Sequence, residues 1–245
     1  MDNPFFYTKG GVRVPSVDES QMREVDRIAV EEYGLEILQM MENAGRNLAL
    51  AAIDSLQKST SSILILAGSG GNGGGGICCA RHLRNRGYNI NLVLSKEERD
   101  LKGSAKSQLQ VIKKAGFQVS PLSSAEELIH NADLVIDALI GYSLNGAPRG
   151  NVAELIHLTK LFAKETLSLD IPSGIDSSTG ETSGDFVKAN RTLTLALPKP
   201  GLKNPAAGEI CLADIGIPPE VYKPLGIFFE PFFSDQYRIP LTRSK

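Results

Sequence analysis

Residues 63–76 read Ile63-Leu64-Ile65-Leu66-Ala67-Gly68-Ser69-Gly70-Gly71-Asn72-Gly73-Gly74-Gly75-Gly76, an apolar run followed at once by a glycine run. The apolar run is typical of a strand that is buried on both faces, as in parallel sheets. Glycine is costly in conformational entropy, and an ordinary strand-to-helix turn needs only one or two. The excess predicts backbone amides that approach a ligand at a helix N-terminus, where phosphate is the usual guest. A flexible linker is the alternative, but a strand pattern and a helix pattern bracket the run.

The glycine run formally contains G-x-G-x-x-G at Gly68, Gly70 and Gly73, which alone is a weak sign of dinucleotide binding. A NAD-dependent dehydrogenase also needs an acid at the end of the next strand to hold the ribose. That strand ends at Leu94-Ser95-Lys96, with Glu97 only as a late candidate. No Lys-Ser/Thr pair follows the glycines, so the run is not a Walker-type nucleoside triphosphate loop. A dehydrogenase stays a minor alternative.

Strand and helix patterns alternate on both sides of this turn. They predict a Rossmann-like, doubly wound, mostly parallel sheet with helices on both faces, a three-layer αβα architecture. Further strands are predicted at Ile90–Ser95, Phe117–Ser120, Asp133–Leu139, Thr166–Asp170, Arg191–Leu197 and Glu209–Ile215. Helices are predicted at Gly76–Arg86, Lys102–Ala115, Ala125–His130 and Val152–Ala163.

The chain before the sheet has a different pattern. Residues 1–15 are predicted to form an extended arm, and residues 16–245 a single α/β domain with an N-terminal helical extension. Ser16 and Glu19 fit a capping box for a helix that runs through Tyr33, with Met22, Val25, Ile28 and Ala29 on one face. A second helix is predicted over Glu36–Gln57. The proline-rich segment after Pro218 is assigned to no element.

The composition is that of an ordinary globular protein. The chain has 245 residues, 42% of them hydrophobic, with a formal net charge of -2. Nothing in this balance attracts nucleic acid or an anionic membrane, so we expect neither as a partner. Cys78, Cys79 and Cys211 form no C-x-x-C pair and are expected to be reduced thiols. The first residues have no signal-peptide pattern, and we expect a cytoplasmic protein.

Acidic residues close two of the predicted strands. Asp137 ends one apolar strand, and Asp170 ends another, with the hydroxyl of Ser173 three residues later. In an open parallel sheet, ligands bind beyond the carboxyl ends of the strands. The two carboxylates are therefore predicted either to share a cation or to act as an acid and a base. A helix cap or salt bridge is the alternative for Asp137. The loop at residues 141–150, which includes Arg149, is a candidate cover for an anionic ligand.

The remaining chemical candidates are weaker. Lys199 follows a strand and is either a solvated loop lysine, the favoured interpretation, or a phosphate ligand. His82, His130 and His157 lie in helical patterns without metal-ligand spacing. Ser173 has no evident histidine partner, so a Ser-His-Asp triad is not expected.

Several motifs in the same order resemble the NAD(P)H-hydrate epimerase family, also called the YjeF N-terminal domain family. The resemblance extends from about Val17 to Ile217. The apolipoprotein A-I-binding protein is a relative of this family. The motifs are Met41-Glu42-Asn43-Ala44-Gly45, the glycine run followed by Ala80-Arg81-His82-Leu83, Val135-Ile136-Asp137-Ala138-Leu139-Ile140-Gly141, Asp170-Ile171-Pro172-Ser173-Gly174-Ile175-Asp176 and Pro198-Lys199-Pro200-Gly201.

The resemblance implies an isomerase that interconverts the R and S epimers of NADH or NADPH hydrated on the nicotinamide ring. It implies Asp170 as the proton-transfer residue and a potassium ion held by Asn72, Asp137 and Ser173. It also implies a functional link to a NAD(P)H-hydrate dehydratase and, by analogy, a homodimer. The substrate-binding residues that it implies are Gly71, Asn72, Gly73, Gly74, Gly75, Gly141, Tyr142, Ser143, Leu144, Asn145, Gly146, Ala147 and Asp170.

Two loops depart from the family pattern. The glycine turn usually reads G-x-G-N-N-G-G-D-G, and here Gly71 replaces the first Asn and Gly75 replaces the Asp. The second loop usually begins G-T-G-L, where this chain has Gly141-Tyr142-Ser143-Leu144. A catalytically impaired nucleotide-binding or protein-interaction member of the same fold is therefore the main alternative to an epimerase.

Overall fold

A computed structural model of the chain describes residues 3–56 and 61–243. The apolar run forms a strand next to one edge of a nine-stranded sheet, whose strand order is β2-β1-β9-β8-β7-β6-β5-β3-β4. The strands are β1 (Phe5–Thr8), β2 (Arg13–Pro15), β3 (Ser62–Ala67), β4 (Asn89–Leu94), β5 (Leu134–Ala138), β6 (Thr166–Leu169), β7 (Arg191–Leu195), β8 (Glu209–Ala213) and β9 (Arg238–Arg243). Strands β3 to β8 are mutually parallel, and β9, β1 and β2 extend one edge in antiparallel pairing.

Helices cover both faces of this sheet. They are α1 (Glu19–Glu31), α2 (Ile37–Ser55), α3 (Gly71–Arg84), α4 (Gly103–Lys114), α5 (Ala125–Asn131) and α6 (Gly150–Phe162). Along β3, Ile63 and Ile65 pack in the core beneath α2, α3 and α4, whereas Leu64 and Leu66 pack against α5 and α6. Because successive strand residues point to opposite faces, a continuous apolar run is what a doubly covered strand requires. The predicted three-layer α/β fold is confirmed.

Helix α1 packs on a third apolar cluster with the antiparallel edge of the sheet. Its buried residues are Met22, Val25, Ile28 and Ala29, the face predicted from the sequence. Its N-cap is Asp18, which forms a capping box with Gln21, and the predicted box of Ser16 with Glu19 is wrong. Ser16 Oγ instead donates to the Pro4 carbonyl.

The edge of the sheet contains two features that the sequence did not predict. Residues 5–15, expected as an arm, form β1 and β2 of the same sheet. Strand β9 was not predicted because Pro240 breaks the pattern of a ladder. Pro240 is tolerated because β1 ends at Thr8, opposite Leu241, so no strand lies beside Pro240 on that side. The predicted strand at Phe117–Ser120 is reduced to one bridge between Ser120 and Val93.

Helix α3 starts at Gly71 and not at the predicted Gly76, so much of the glycine run is helical. The glycines allow this helix to approach its neighbours closely. A Cβ atom on Gly73 would lie 1.7 Å from the Gly68 carbonyl oxygen, and one on Gly76 would lie 2.6 Å from Ala138 Cβ. The structure therefore gives the glycines at these positions a packing role.

Helix α2 is described as far as Ser55. Gln57, where the second helix was predicted to end, lies outside the described residues. Among the helices of residues 3–56 and 61–243, none is long and apolar enough to cross a membrane.

We expect the change Gly76→Ala to destabilise the fold. The added methyl group meets Ala138 Cβ in a closely packed layer, and overpacking of this kind costs about 1–3 kcal/mol. The matched control is Gly71→Ala, whose Cβ atom meets nothing within 4 Å. Urea unfolding monitored by circular dichroism measures both free energies. Equal effects of the two changes would contradict the packing role.

Candidate functional site

A cavity of about 580 Å³ opens at the carboxyl ends of the parallel strands. Its walls come from the segments that follow β3, β4, β5, β6 and β7, together with residues of α1 and α2. In a doubly wound sheet this edge is where ligands bind. The sequence prediction of a site beyond the strand ends therefore agrees with the position of the cavity.

The N-terminus of α3 faces this cavity. Gly70, its N-cap residue, has no side chain to bond the first helical amides, and Gly70, Gly71 and Asn72 line the cavity. Added Cβ atoms on Gly70 and Gly71 would meet nothing within 4 Å, so the backbone is open to a ligand here. The first amides of a helix lack partners within the helix and attract anions.

Two further helices begin at the same cavity. Ser104 in the first turn of α4 and Val152 in the first turn of α6 are both lining residues. Their N-cap residues, Lys102 and Arg149, make no side-chain cap bond. Three uncapped helix N-termini thus give the cavity a partial positive potential.

Asp170 and Lys199 form a buried ion pair in the cavity wall. Asp170 is 2% exposed and Lys199 is 1% exposed. Lys199 Nζ donates to Asp170 Oδ1 at 2.5 Å and to the Leu195 carbonyl at 2.9 Å. No described residue donates to the other carboxylate oxygen, Oδ2, so it is free for a ligand. The interpretation of Lys199 as a solvated loop lysine is wrong, because its side chain is buried. The carboxylate of Asp170 offsets the cost of burying its ammonium group.

The backbone at Asp170 is unusual. Its φ angle is 68°, in the left-handed region that residues other than glycine seldom occupy. Asp170 lies directly after β6, and Oδ1 also accepts a hydrogen bond from the Leu195 amide at 3.2 Å. The ion pair and this amide bond hold the side chain at the strand end. Such a conformation persists where the surroundings determine it strongly, as at functional sites.

A second acid, Asp26, lines the same cavity from α1 and was not identified from the sequence. The Tyr142 hydroxyl donates to Asp26 Oδ2 at 2.6 Å. Burial raises the pKa of Asp26 above its ordinary value, and the Tyr142 hydrogen bond opposes that rise. The Tyr142 ring lies 5.9 Å from Lys199 Nζ. The four side chains therefore form one connected group.

Asp137 and Ser173 lie buried below the floor of the cavity. Asp137 accepts hydrogen bonds from Ser173 Oγ at 2.6 Å, the Ser173 amide at 2.9 Å and Ser168 Oγ at 2.8 Å. Burial raises the pKa of Asp137, and these hydrogen bonds oppose the rise. The alternatives of a helix cap and a salt bridge are wrong, because the partners are serines and amides.

Asn72 lies at the start of α3. Its Nδ2 donates to the Leu169 carbonyl at 2.8 Å. Its Oδ1 faces Gly141, where an added Cβ atom would lie 2.7 Å away. Asn72 thus joins the glycine run to the loop after β5.

The predicted site residues fall into three groups. The first lines the cavity and contains Gly71, Asn72, Gly75, Gly141, Tyr142, Ser143 and Asp170. The second is buried behind its walls and contains Gly73, Gly74, Asp137 and Ser173. The third lies on the loop beyond the lining residues and contains Leu144, Asn145, Gly146 and Ala147.

Two other sequence motifs hold helix α2 in place. Glu42 Oε1 lies 2.8 Å from His82 Nε2, and Glu42 Oε2 pairs with the Arg81 guanidinium, so α2 is tied to α3. Asn43 Nδ2 donates to the Ile215 carbonyl at 3.1 Å, beyond the end of β8. These contacts position the α2 residues that reach the cavity.

Comparison with known proteins gives concordant results. The profile of the family described as YjeF-related protein N-terminus matches residues 37–201. A protein named NAD(P)H-hydrate epimerase from Dehalogenimonas lykanthroporepellens is 45% identical over 98% of each chain. One of the same name from Rhodopirellula baltica is 32% identical over 88% of this chain and 90% of its own.

A longer relative and a solved structure extend this comparison. The bifunctional NAD(P)H-hydrate repair enzyme Nnr of Moorella thermoacetica is 36% identical over 82% of this chain, which covers 40% of that protein. The crystal structure of yeast YNL200c has the same fold, with a TM-score of 0.78, 21% identity, and coverage of 93% of this chain and all of that one. The chain therefore belongs to the YjeF-related protein N-terminus family.

Proposed function

We propose that this chain is an NAD(P)H-hydrate epimerase, an isomerase that interconverts the R and S epimers of hydrated NADH and NADPH. The names of the two full-length relatives support this activity. The observation that carries the proposal is Asp170, whose Oδ1 is held by Lys199 while Oδ2 is left for a ligand. A fixed carboxylate with one free oxygen is suited to proton transfer.

The chemistry requires the hydroxyl group to leave the ring carbon and water to return on the other face. As the carbon–oxygen bond breaks, the ring nitrogen lone pair forms the carbon–nitrogen double bond, and the departing oxygen takes a proton to become water. Addition of water to the opposite face returns the electron pair to nitrogen and releases that proton. In this proposal Asp170 carries the proton, and Lys199 holds its carboxylate in position. The two steps together release and return one water and one proton, so the reaction needs no oxidant or reductant.

The phosphates of the dinucleotide would lie at the N-terminus of α3. Gly70 and Gly71 leave room for close approach, and the uncapped amides offer donors to an anion. Lys199 is the single basic residue among those described in the lining, and it is engaged by Asp170. Helix amides are therefore the main source of positive potential for the substrate among the described lining residues.

We also propose a potassium ion near Asp137. Asn72, Asp137 and Ser173 offer only oxygen ligands, the type that hard cations prefer. Asp137 is fully buried and pairs with no basic side chain among the described residues, so only hydrogen bonds offset its charge. A bound cation would offset that charge and add positive potential beside the phosphates.

The impaired alternative depends on Gly71 and Gly75. Neither position contributes to the Asp170–Lys199 pair, which is complete in this chain. The proposed epimerase therefore keeps its proton-transfer group despite both replacements. The relatives named bifunctional repair enzymes support a further proposal, in which a NAD(P)H-hydrate dehydratase consumes one epimer. A cytoplasmic location and a homodimer remain proposals of the same kind.

We expect Asp170→Asn to lower the rate of hydrate epimerisation by about 100-fold or more, the usual scale for loss of a proton-transfer group. Asparagine tolerates the left-handed backbone at this position. Chromatographic separation of the R and S hydrates of NADPH measures the rate. Asp185→Asn, the same change at an exposed ion pair, is the control. A folded Asp170→Asn protein with wild-type activity would refute the assignment, and a wild-type rate equal to that of buffer would refute the enzyme.

We expect potassium chloride to raise the melting temperature relative to choline chloride at equal ionic strength. The ion binds only the folded protein and so stabilises it by mass action. Asp137→Asn should abolish the difference, because it removes the carboxylate charge but keeps the shape. Asp185→Asn again serves as the control. Equal melting temperatures of the wild-type protein in the two salts would contradict the potassium proposal.

A further inference from the structure

The Ser95 hydroxyl has no hydrogen-bond partner among the described residues, although Ser95 is only 3% exposed. A buried polar group without a partner costs about 1–3 kcal/mol, and such groups are few in native proteins. The other two unpartnered atoms, Asn47 Oδ1 and Arg81 Nε, belong to side chains that are bonded through another atom. Ser95 has no such second contact, and it lines the cavity.

The backbone of Ser95 is fixed on both sides. Its amide donates to the Ala67 carbonyl at 2.9 Å, and its carbonyl accepts from Asn151 Nδ2 at 3.1 Å. The side chain, by contrast, can rotate among three staggered positions about χ1. A ligand in the cavity can therefore gain this hydroxyl as a partner without movement of the backbone.

The surroundings of Ser95 indicate the chemistry of that ligand. Ser104, at the uncapped N-terminus of α4, and Ser69, after β3, also line the cavity, and both belong to elements next to β4 in the sheet order or the chain. The described acidic lining residues are Asp26 and Asp170, and these belong to the connected group around Lys199. Serine hydroxyl groups can donate to or accept from a sugar hydroxyl, and helix amides can bind a sugar phosphate that no neighbouring lining carboxylate repels.

The sheet order gives the distance between the two ends of the cavity. Ser95 follows β4 and Asp170 follows β6, with β3 and β5 between them. Three strand spacings correspond to about 14 Å. The N-terminus of α3 lies after β3, between the two ends. A ligand that contacts all three regions must be extended, with its anionic part in the middle.

We propose that Ser95 binds the ribose at the adenosine end of the dinucleotide, a subsite separate from the reacting ring at Asp170. The identity of the ligand rests on the proposed function, but the subsite does not depend on catalysis. A hydroxyl can pair with either a 2′-hydroxyl or a 2′-phosphate. The described lining residues beside Ser95 include no carboxylate, so both NAD and NADP forms are accepted.

The test is Ser95→Ala, with two readouts that move in opposite directions. Without ligand the variant melts at a higher temperature than the wild type, because it lacks the unpartnered hydroxyl. It binds NAD⁺ and NADP⁺ about 2- to 10-fold more weakly, as expected for the loss of one hydrogen bond. Nicotinamide mononucleotide, which lacks the adenosine, binds equally to both proteins. Calorimetry and thermal unfolding measure these quantities.

The control is Ser107→Ala on α4, where the hydroxyl bonds the carbonyl of Gly103 in its own helix and lies outside the lining residues. It should change neither dinucleotide affinity nor the contrast between ligands. Unchanged binding of both dinucleotides to Ser95→Ala, or an equal loss for the mononucleotide, would overturn the subsite, as would failure of NAD⁺ and NADP⁺ to bind the wild type. Oxidised dinucleotides are not epimerised, so the subsite can hold even where the epimerase assay fails.

Discussion

The close approach of helix α3 to the sheet is the constraint on which the rest of the site depends. Glycines at positions 73 and 76 let the helix backbone approach the backbone of the turn after β3 and the Ala138 methyl group at the end of β5. Each glycine in a helix costs about 1 kcal/mol relative to alanine. The fold accepts that cost because the same packing brings the first amides of α3 to the strand ends. Packing and anion binding are thus properties of one glycine run.

The two ends of the cavity differ in chemistry. At one end, Asp170, Lys199, Tyr142 and Asp26 are linked by an ion pair, a ring contact and a hydrogen bond. Asp170 forms an ion pair with Lys199. Asp26 instead accepts a hydrogen bond from the Tyr142 hydroxyl, and burial raises the pKa of Asp26. The two carboxyl groups of this end therefore lie in different environments, one beside an ammonium group and one beside a phenol hydroxyl. The serine-lined end lacks such groups and is suited to binding.

The sequence was sufficient for the elements whose pattern is local. The apolar run of β3 and the buried face of α1 follow from periodicity alone, and Asp170 was identified because acids rarely end apolar strands. Lys199 was misjudged because its burial depends on a carboxylate 29 residues away. Asp26 has charged neighbours in Arg23 and Arg27, so only the tertiary structure separates it from a solvated helix face. Strand β9 was missed because its tolerance of proline depends on where β1 ends.

The two glycine replacements have different physical consequences. At Gly71 an added side chain meets open space, so the replacement removes a group but distorts nothing. At Gly75 an added Cβ atom would lie 2.8 Å from Leu169 Cδ2, so the apolar side chain of β6 occupies the space that a side chain there would need. The cavity wall beside Asp170 is consequently apolar, and no third carboxylate faces the phosphate region among the described lining residues. The replacements change contacts to the ligand and leave the proton-transfer group as it is.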